Sequence, residues 1–407
     1  MSDAPVHYEK LPLVAFDSQT RTRLVFGNNT VERVGALARE LGGTRVLVVT
    51  DKGIALAGHA GRVEHSLQKA GLGVVVFDAV RENPTTLDVD RCLAVAREAG
   101  ADLIVGVGGG SSMDTAKGAN FLLTNGGRMQ DYWGVGKATK PMLPLIAIPT
   151  TTGTGSECQS FALIADEKTH QKMACGDPKA AARVAILDPT LTVSQPPRVT
   201  ACTGIDAITH AVETTVTRKR NAISVMYSHE AFKLLVPALP LALREPLDLD
   251  ARGRMLLGAA LAGMAIENSM LGAAHSAANP LTAHYGIVHG QAVGIMLPAV
   301  VRFNARDGVA RRAYAELASA GELAHVRDGL DAAVGALLAR LESLLNVAQM
   351  PRSLADCGVK PALVETLATE AAKQWTATFN PRAVAVEDFV NLYQKAFERR
   401  GDGDGET

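Results

Sequence analysis

Asp206, His210, His275 and His289 are the residues whose types and spacing could do chemistry together, as ligands of one metal ion. Asp206 and His210 stand four apart in GIDAITHAVE, a stretch that reads as helix. Both therefore project from one face about one turn (~5–6 Å) apart, a reach that two ligands of one cation can share. His275 and His289 lie in HSAANPLTAHYGIVH, and on one unbroken helix they would be roughly 20 Å apart. Asn279-Pro280 reads as a helix end, which puts His275 late in one helix and His289 at the start of the next, so that the chain can fold them together. The plainer alternative is packing alone, but LGAAH and IVHG are apolar contexts in which an unpaired imidazole is costly. Three imidazoles and one carboxylate without Cys suit Zn²⁺ or Fe²⁺ rather than Mg²⁺ or Ca²⁺, and spacing does not choose between the first two.

A second set of residues could bind phosphate. DLIVGVGGGSSMDTAKGANFLL runs from an apolar strand through Gly106, Gly108, Gly109 and Gly110 into a helix opening at Ser111-Ser112. Glycines there let the backbone approach a pyrophosphate, and the free N–H groups of the helix N-terminus attract its charge. A Ser-capped tight turn is the structural alternative. The pattern is not GxGxxG, and Asp51, ending VLVVTD, precedes the turn instead of following it. IPTTTGTGSE then sets Thr150, Thr151, Thr152 and Thr154 after another apolar run, at a strand's carboxyl end, where open α/β sheets bind ligands; alone it reads better as a local ST-turn, beside the glycine turn as a ligand loop.

These residues need a frame. The 407-residue chain exceeds one ordinary core, so two domains are expected. Apolar runs at 45–50, 73–77, 102–108, 143–149 and 182–188 alternate with helical stretches, the pattern of a parallel doubly wound sheet. FALIADEKTHQKMAC interrupts that rhythm and reads as a β-hairpin turning at 166–169. From Asp188-Pro189 onward the periodicity is helical. The expected division is a parallel-sheet domain over 1–188, an all-helical domain carrying the metal candidates over 189–400 and a mobile polar tail over 401–407. A net charge of −1 offers no electrostatic case for nucleic acid or an anionic membrane. MSDAPVHYEK lacks the order of a signal peptide, and five widely spaced Cys indicate neither disulfides nor a CxxC metal site. A cytoplasmic location is the expectation.

Taken together, GGGSSMDTAK, PTTTGTGSE, GIDAITHAVE, the ENPT at 82–85 and H275…NPLTAHYGIVHG resemble the iron-containing (group III) alcohol dehydrogenase family, from about Leu24 to NPRAVAVEDFVNLYQKAF. The resemblance implies an N-terminal Rossmann-like domain and a helical metal-binding domain with the active site in the interdomain cleft, in a metal-dependent alcohol dehydrogenase or aldehyde reductase using NAD(H) and Fe²⁺, or Zn²⁺, acting on a primary or small secondary alcohol, as a homodimer or higher oligomer. By position it makes Asp206, His210, His275 and His289 the metal ligands. It puts Gly108, Gly109, Gly110, Ser111, Asp114, Thr150, Thr151, Thr154, Asn83 and Lys172 on the nucleotide. Asp51 falls near the adenine ribose, where a carboxylate repels a 2′-phosphate. Phe161, Leu163, Ile266, Trp375, Thr376 and Phe379 fall near the substrate cleft and suggest an apolar pocket. Many members carry a His where this chain has Asn279, so a proton route must use water, a ribose hydroxyl or His284. Glu267, where relatives have a small polar residue, reads as a solvated helix face or a pocket residue. Glycerol dehydrogenase-like polyol oxidation is the neighbouring reading, and a lyase of the dehydroquinate synthase type the more distant one.

Overall fold

The computed structural model describes residue 11 and residues 14–169 and 171–397. The 401–407 tail and the N-terminal MSDAPVHYEK lie outside them. Its strands in chain order are β1 (Arg23–Phe26), β2 (Arg45–Val49), β3 (Gly73–Phe77), β4 (Leu103–Gly108), β5 (Gly134–Val135), β6 (Leu145–Pro149), β7 (Phe161–Ala165), β8 (Lys172–Gly176) and β9 (Val184–Leu187). Six of them form a parallel sheet in the order β1-β9-β6-β4-β2-β3. Central β4 and β6 are buried throughout, as the continuous apolar runs require of strands covered on both faces. One face packs under Val34, Leu37, Val63 and Leu67, the other under Cys92, Met113 and Ala116. The covering helices are α1 (Val34–Glu40), α2 (Lys52–Leu56), α3 (His59–Lys69), α4 (Thr86–Glu98) and α5 (Gly110–Asn125). β7 and β8 form the expected antiparallel hairpin, which β5 extends to three strands. The short edge strand β1 was not legible in the periodicity. It is pinned by Arg23 N–H on Arg183 O and Gly27 N–H on Leu187 O.

Strand order explains where a ligand can enter. β2 and β4 are neighbours, yet the chain leaves β2 toward β3 and leaves β4 toward β6. The loops beyond their carboxyl ends part there and open a crevice at a topological switch point.

After Leu187 the described chain is helical: α6 (Pro197–Thr214), α7 (Ala222–Arg244), α8 (Leu249–Ser269), α9 (Ala273–Tyr285), α10 (His289–Asn304), α11 (Gly308–Ala320), α12 (Leu330–Val347), α13 (Val364–Ala372) and α14 (Val386–Phe397), with short 3₁₀ turns. α6 is central, packed against α7, α8 and α10 over one large apolar core. No single described helix is long and apolar enough to cross a membrane. Cys158, Ala185 and Leu187 of the sheet half meet Leu256, Ala260 and Met264 of α8 in an apolar seam.

One expectation fails here. Pro280 does not end a helix: α9 runs through it to Gly286, whose φ of 62° stops it, and His275 stands in the first turn of α9, not late in a preceding helix. Ala277, Ala278 and Leu281 are fully buried around Pro280, and that packing outweighs the backbone hydrogen bond the proline forfeits.

Candidate functional site

α6 presents Asp206, His210 and Glu213 at i, i+4 and i+7, one stripe of the helix. α9 adds His275 from its first turn, and α10 begins at His289. Gly290 lets α10 start directly on α6, since a Cβ there would lie 2.0 Å from the Cys202 carbonyl oxygen. The result converges on one atom. Asp206 Oδ1 is 3.3 Å from His210 Nε2, 3.4 Å from His275 Nε2 and 3.8 Å from His289 Nε2. Ligands each about 2.1 Å from a tetrahedral cation stand roughly 3.4 Å apart, so these separations fit a shared ion.

The electrostatics agree with the distances. Burial lowers the pKa of His210 to about 4 and that of His289 to about 3, in both cases against the pull of Asp206, so both rings are neutral and have a lone pair to give. His289 keeps 32% of its side chain open to the cleft. Burial opposes charge on His275 too, but Glu213 and Asp206 outweigh it and raise the ring to about 9. Asp206 is held below the usual carboxylate range: burial works against its charge, but His210 and the other two imidazoles prevail. Two carboxylates strong enough to hold an imidazolium are strong enough to hold a cation in its place.

Glu213 escaped the sequence reading. Its Oε2 lies 2.5 Å from His275 Nδ1, and its Oε1 accepts the Ala274 N–H at 2.7 Å. It thereby fixes the ring and turns Nε2 toward the cluster. Its signal was seven-residue spacing from Asp206 on the same helix face.

A groove of about 860 Å³ lies over the carboxyl ends of the sheet strands, lined by Asp51, Gly109, Ser111, Thr150 and Thr151 on one side and, on the other, by Arg198, Cys202 and Val288, the residue before His289. Asp51 caps α2 through Ile54 N–H. Gly108 has φ +143°, and a Cβ on it would meet Ser112 Oγ at 2.4 Å. A Cβ on Gly110 would meet Thr154 at 2.9 Å, so the glycine and threonine loops lie against each other. Asn83, at φ 52°, donates its N–H to Ser111 Oγ on the groove lip. Lys172 opens β8, exposed, and its charge reaches both Asp114 and His289.

Asp114, in the second turn of α5, is buried beside the threonine loop, accepting from Ser156 Oγ, and burial raises its pKa despite Lys117. Fully buried Lys117 donates to Ser156 O, Ser156 Oγ and Phe161 O, tying α5 to the threonine loop and the hairpin. Glu267 is not a solvated helix face: it accepts from Ser160 N–H and Oγ–H and pairs with Arg21 across the halves, lining a small cavity with Arg21, Cys158 and Met264.

Of the residues expected at the substrate end, three form a ring cluster. Phe161 lies 5.6 Å from Trp375, and Trp375 lies edge-on to Phe379 at 5.5 Å. Thr376 Oγ1 bonds Ser276 Oγ at 2.8 Å, and Asn279 donates to Gln374 at 3.0 Å, so α9 grips the chain on both sides of Trp375. Ile266 is buried in α8, and Leu163 is partly buried in β7. His284 is not brought to the cluster. It sits in the last turn of α9, roughly 13 Å along the axis from His275, and pairs with Glu370 at 2.9 Å.

Unsatisfied groups test what the site could hold. Asp206 Oδ1 and His275 Nε2 are buried without a hydrogen-bond partner, and both point into the ligand cluster, as an ion requires. Ser112 Oγ and Thr150 Oγ1 are likewise buried and unpartnered beside the glycine loop, where a phosphate would engage them. The residues present therefore fit both a transition metal and a dinucleotide.

Comparisons with known proteins agree. The family model described as iron-containing alcohol dehydrogenase matches residues 21–189, and that of the family's C-terminal part matches 200–397. The NAD-dependent methanol dehydrogenase of Bacillus methanolicus is 34% identical over 375 residues, 91% of this chain and 97% of its own. The 1,3-propanediol dehydrogenase of Klebsiella pneumoniae is also 34% identical, covering 91% and 96%. Among solved structures, a 1,3-propanediol oxidoreductase superposes with a TM-score of 0.91 at 32% identity, over 94% of this chain and all of its own. A sulfoacetaldehyde reductase from Bifidobacterium kashiwanohense in complex with NAD⁺ gives 0.84 at 28%, over 94% and 99%.

Proposed function

The chain belongs to the iron-containing alcohol dehydrogenase family and is an oxidoreductase acting on alcohols and aldehydes, and we propose that it interconverts small primary alcohols and their aldehydes with NAD(H) and one divalent ion, Fe²⁺ or Zn²⁺. The observation that carries this reading is the convergence of three imidazole nitrogens on one buried carboxylate oxygen, with the groove beside it. When bound, the ion supplies Lewis acidity toward the substrate oxygen, and the nicotinamide accepts or donates the hydride.

The chain's own residues do the rest. Asp206, His210, His275 and His289 hold the ion, and Glu213 keeps His275 in the ligating tautomer. The glycine loop and Thr150–Thr151 orient the nucleotide, and Asp51 accepts a ribose hydroxyl and disfavours a 2′-phosphate. Phe161, Trp375 and Phe379 form an apolar wall that excludes water and favours a small apolar substituent. Asn279 cannot titrate near neutral pH, and His284 is engaged by Glu370, so the proton leaves through water or the ribose. The nucleotide half spans 1–188 and the metal half 189–400; a cytoplasmic homodimer completes the proposal.

The test is reconstitution. Metal-stripped protein reloaded with Fe²⁺ or with Zn²⁺ should regain NAD⁺-dependent oxidation of at least one alcohol in a panel from ethanol to 1,3-propanediol. Stoichiometric loading without turnover on any of them refutes the proposal.

A further inference from the structure

α6 carries a residue for which the metal cluster has no use. Arg198 lies eight residues before Asp206, with Cys202 between them, so the three occupy one helix face at successive turns. The helical rise puts Arg198 about 12 Å from Asp206 along the axis. Arg198 and Cys202 both line the groove, from the helical half, opposite the glycine loop. Glu82 reaches the same spot from the sheet half: the Cys202 thiol, pushed up first by burial, is lowered by Arg198 and raised by Glu82.

Arg198 is exposed, and no hydrogen bond or ion pair engages it among the described residues. It also stands in the first turn of an 18-residue helix, where a cation opposes the macrodipole and an anion would be preferred. A local rule broken without compensation inside a cleft points to a ligand.

An unpaired guanidinium lining a groove calls for an anion. Of the other lining cations, Arg81 is already held by buried Asp88 through contacts of 2.7 and 3.1 Å. A pyrophosphate brings negative charge that the helix end behind the glycine loop, with about half a positive charge, offsets only in part.

We propose that Arg198 is a nucleotide-binding residue, whose guanidinium closes from the helical half onto the pyrophosphate that the glycine loop cradles from the sheet half. This rests on reading the groove as a dinucleotide site. The test is equilibrium titration of the metal-loaded protein with NAD⁺, ADP and adenosine, for wild type, Arg198→Gln and Arg198→Lys. A charge-assisted contact predicts that Arg198→Gln weakens NAD⁺ and ADP about 10- to 100-fold at low salt and leaves adenosine unchanged. Lys should recover part of the loss. Unchanged NAD⁺ and ADP binding in Arg198→Gln overturns the inference, and so does an equal loss for adenosine, which would signal distortion of the groove. A wild type that binds adenosine but gains nothing from the phosphates of ADP or NAD⁺ removes the dinucleotide reading itself, and this inference with it.

Discussion

Replacing Glu213 by Gln separates holding the metal from folding the site. Glu213 makes two contacts, 2.5 Å to His275 Nδ1 and 2.7 Å to Ala274 N–H, both buried. Glutamine keeps the volume but has one acceptor. If its oxygen serves Ala274, its NH₂ donates to Nδ1, forces the proton onto Nε2 and blocks the lone pair facing Asp206. If its oxygen serves Nδ1, Ala274 N–H is stranded. Loss of such an orienting partner costs about 10- to 100-fold in metal affinity, or about 1.4–2.7 kcal/mol. Competition with a chelator for Zn²⁺ or Fe²⁺ measures it directly, and the unfolding midpoint of the stripped protein controls for folding. Glu213→Asp, which keeps the charge but shortens the reach, serves if the Gln variant does not fold. Metal affinity in Glu213→Gln equal to that of wild type would refute the reasoning.

Three further outcomes are expected. Asp51→Gly should raise the NADP⁺/NAD⁺ ratio of kcat/KM by tenfold or more, on the order of one lost charge repulsion, whereas a wild type using both nucleotides equally would void the role given to Asp51. Asp166 is held at about 2 by the Gln130 amide and by Thr169 and Lys168 N–H groups, so its stabilising share is complete above the usual carboxylate range and is lost as pH falls toward 2. Asp166→Asn should thus melt below wild type at pH 6, with the gap narrowing between pH 4 and 2; a constant gap contradicts the linkage. His284→Ala should leave the pH dependence of kcat unmoved and Asn279→His should shift it by adding a group titrating near 6.5, so a flattened profile in His284→Ala would return the proton relay to His284.

What the sequence made legible was local. Asp206 and His210 could be read because helical spacing fixes their relation whatever surrounds them, and the alternation of strands and helices showed the parallel sheet. Sheet order and edge strand β1 depend on pairings between distant segments, which periodicity does not record. Pro280 misled because punctuation residues act through the local backbone, whereas the fully buried face of α9 decides the matter; Gly286, six residues on, was the true stop. Glu213 was missed and Glu267 left between two readings for one cause: a carboxylate in a helix looks solvated until tertiary contacts supply its partners, and those of Glu213 come from α9, those of Glu267 from Ser160 and Arg21.

All four candidate ligands come from helices of a single core, whereas the phosphate loops belong to the sheet across the seam. An ion that binds only the folded state therefore adds its mass-action stabilisation, about 2.7 kcal/mol at a hundredfold excess over Kd, through the helical core, and the seam couples that core to the sheet. Starved of metal, the protein should melt at a lower temperature in calorimetry. Metal supply would then set how long the protein stays folded as well as whether it turns over.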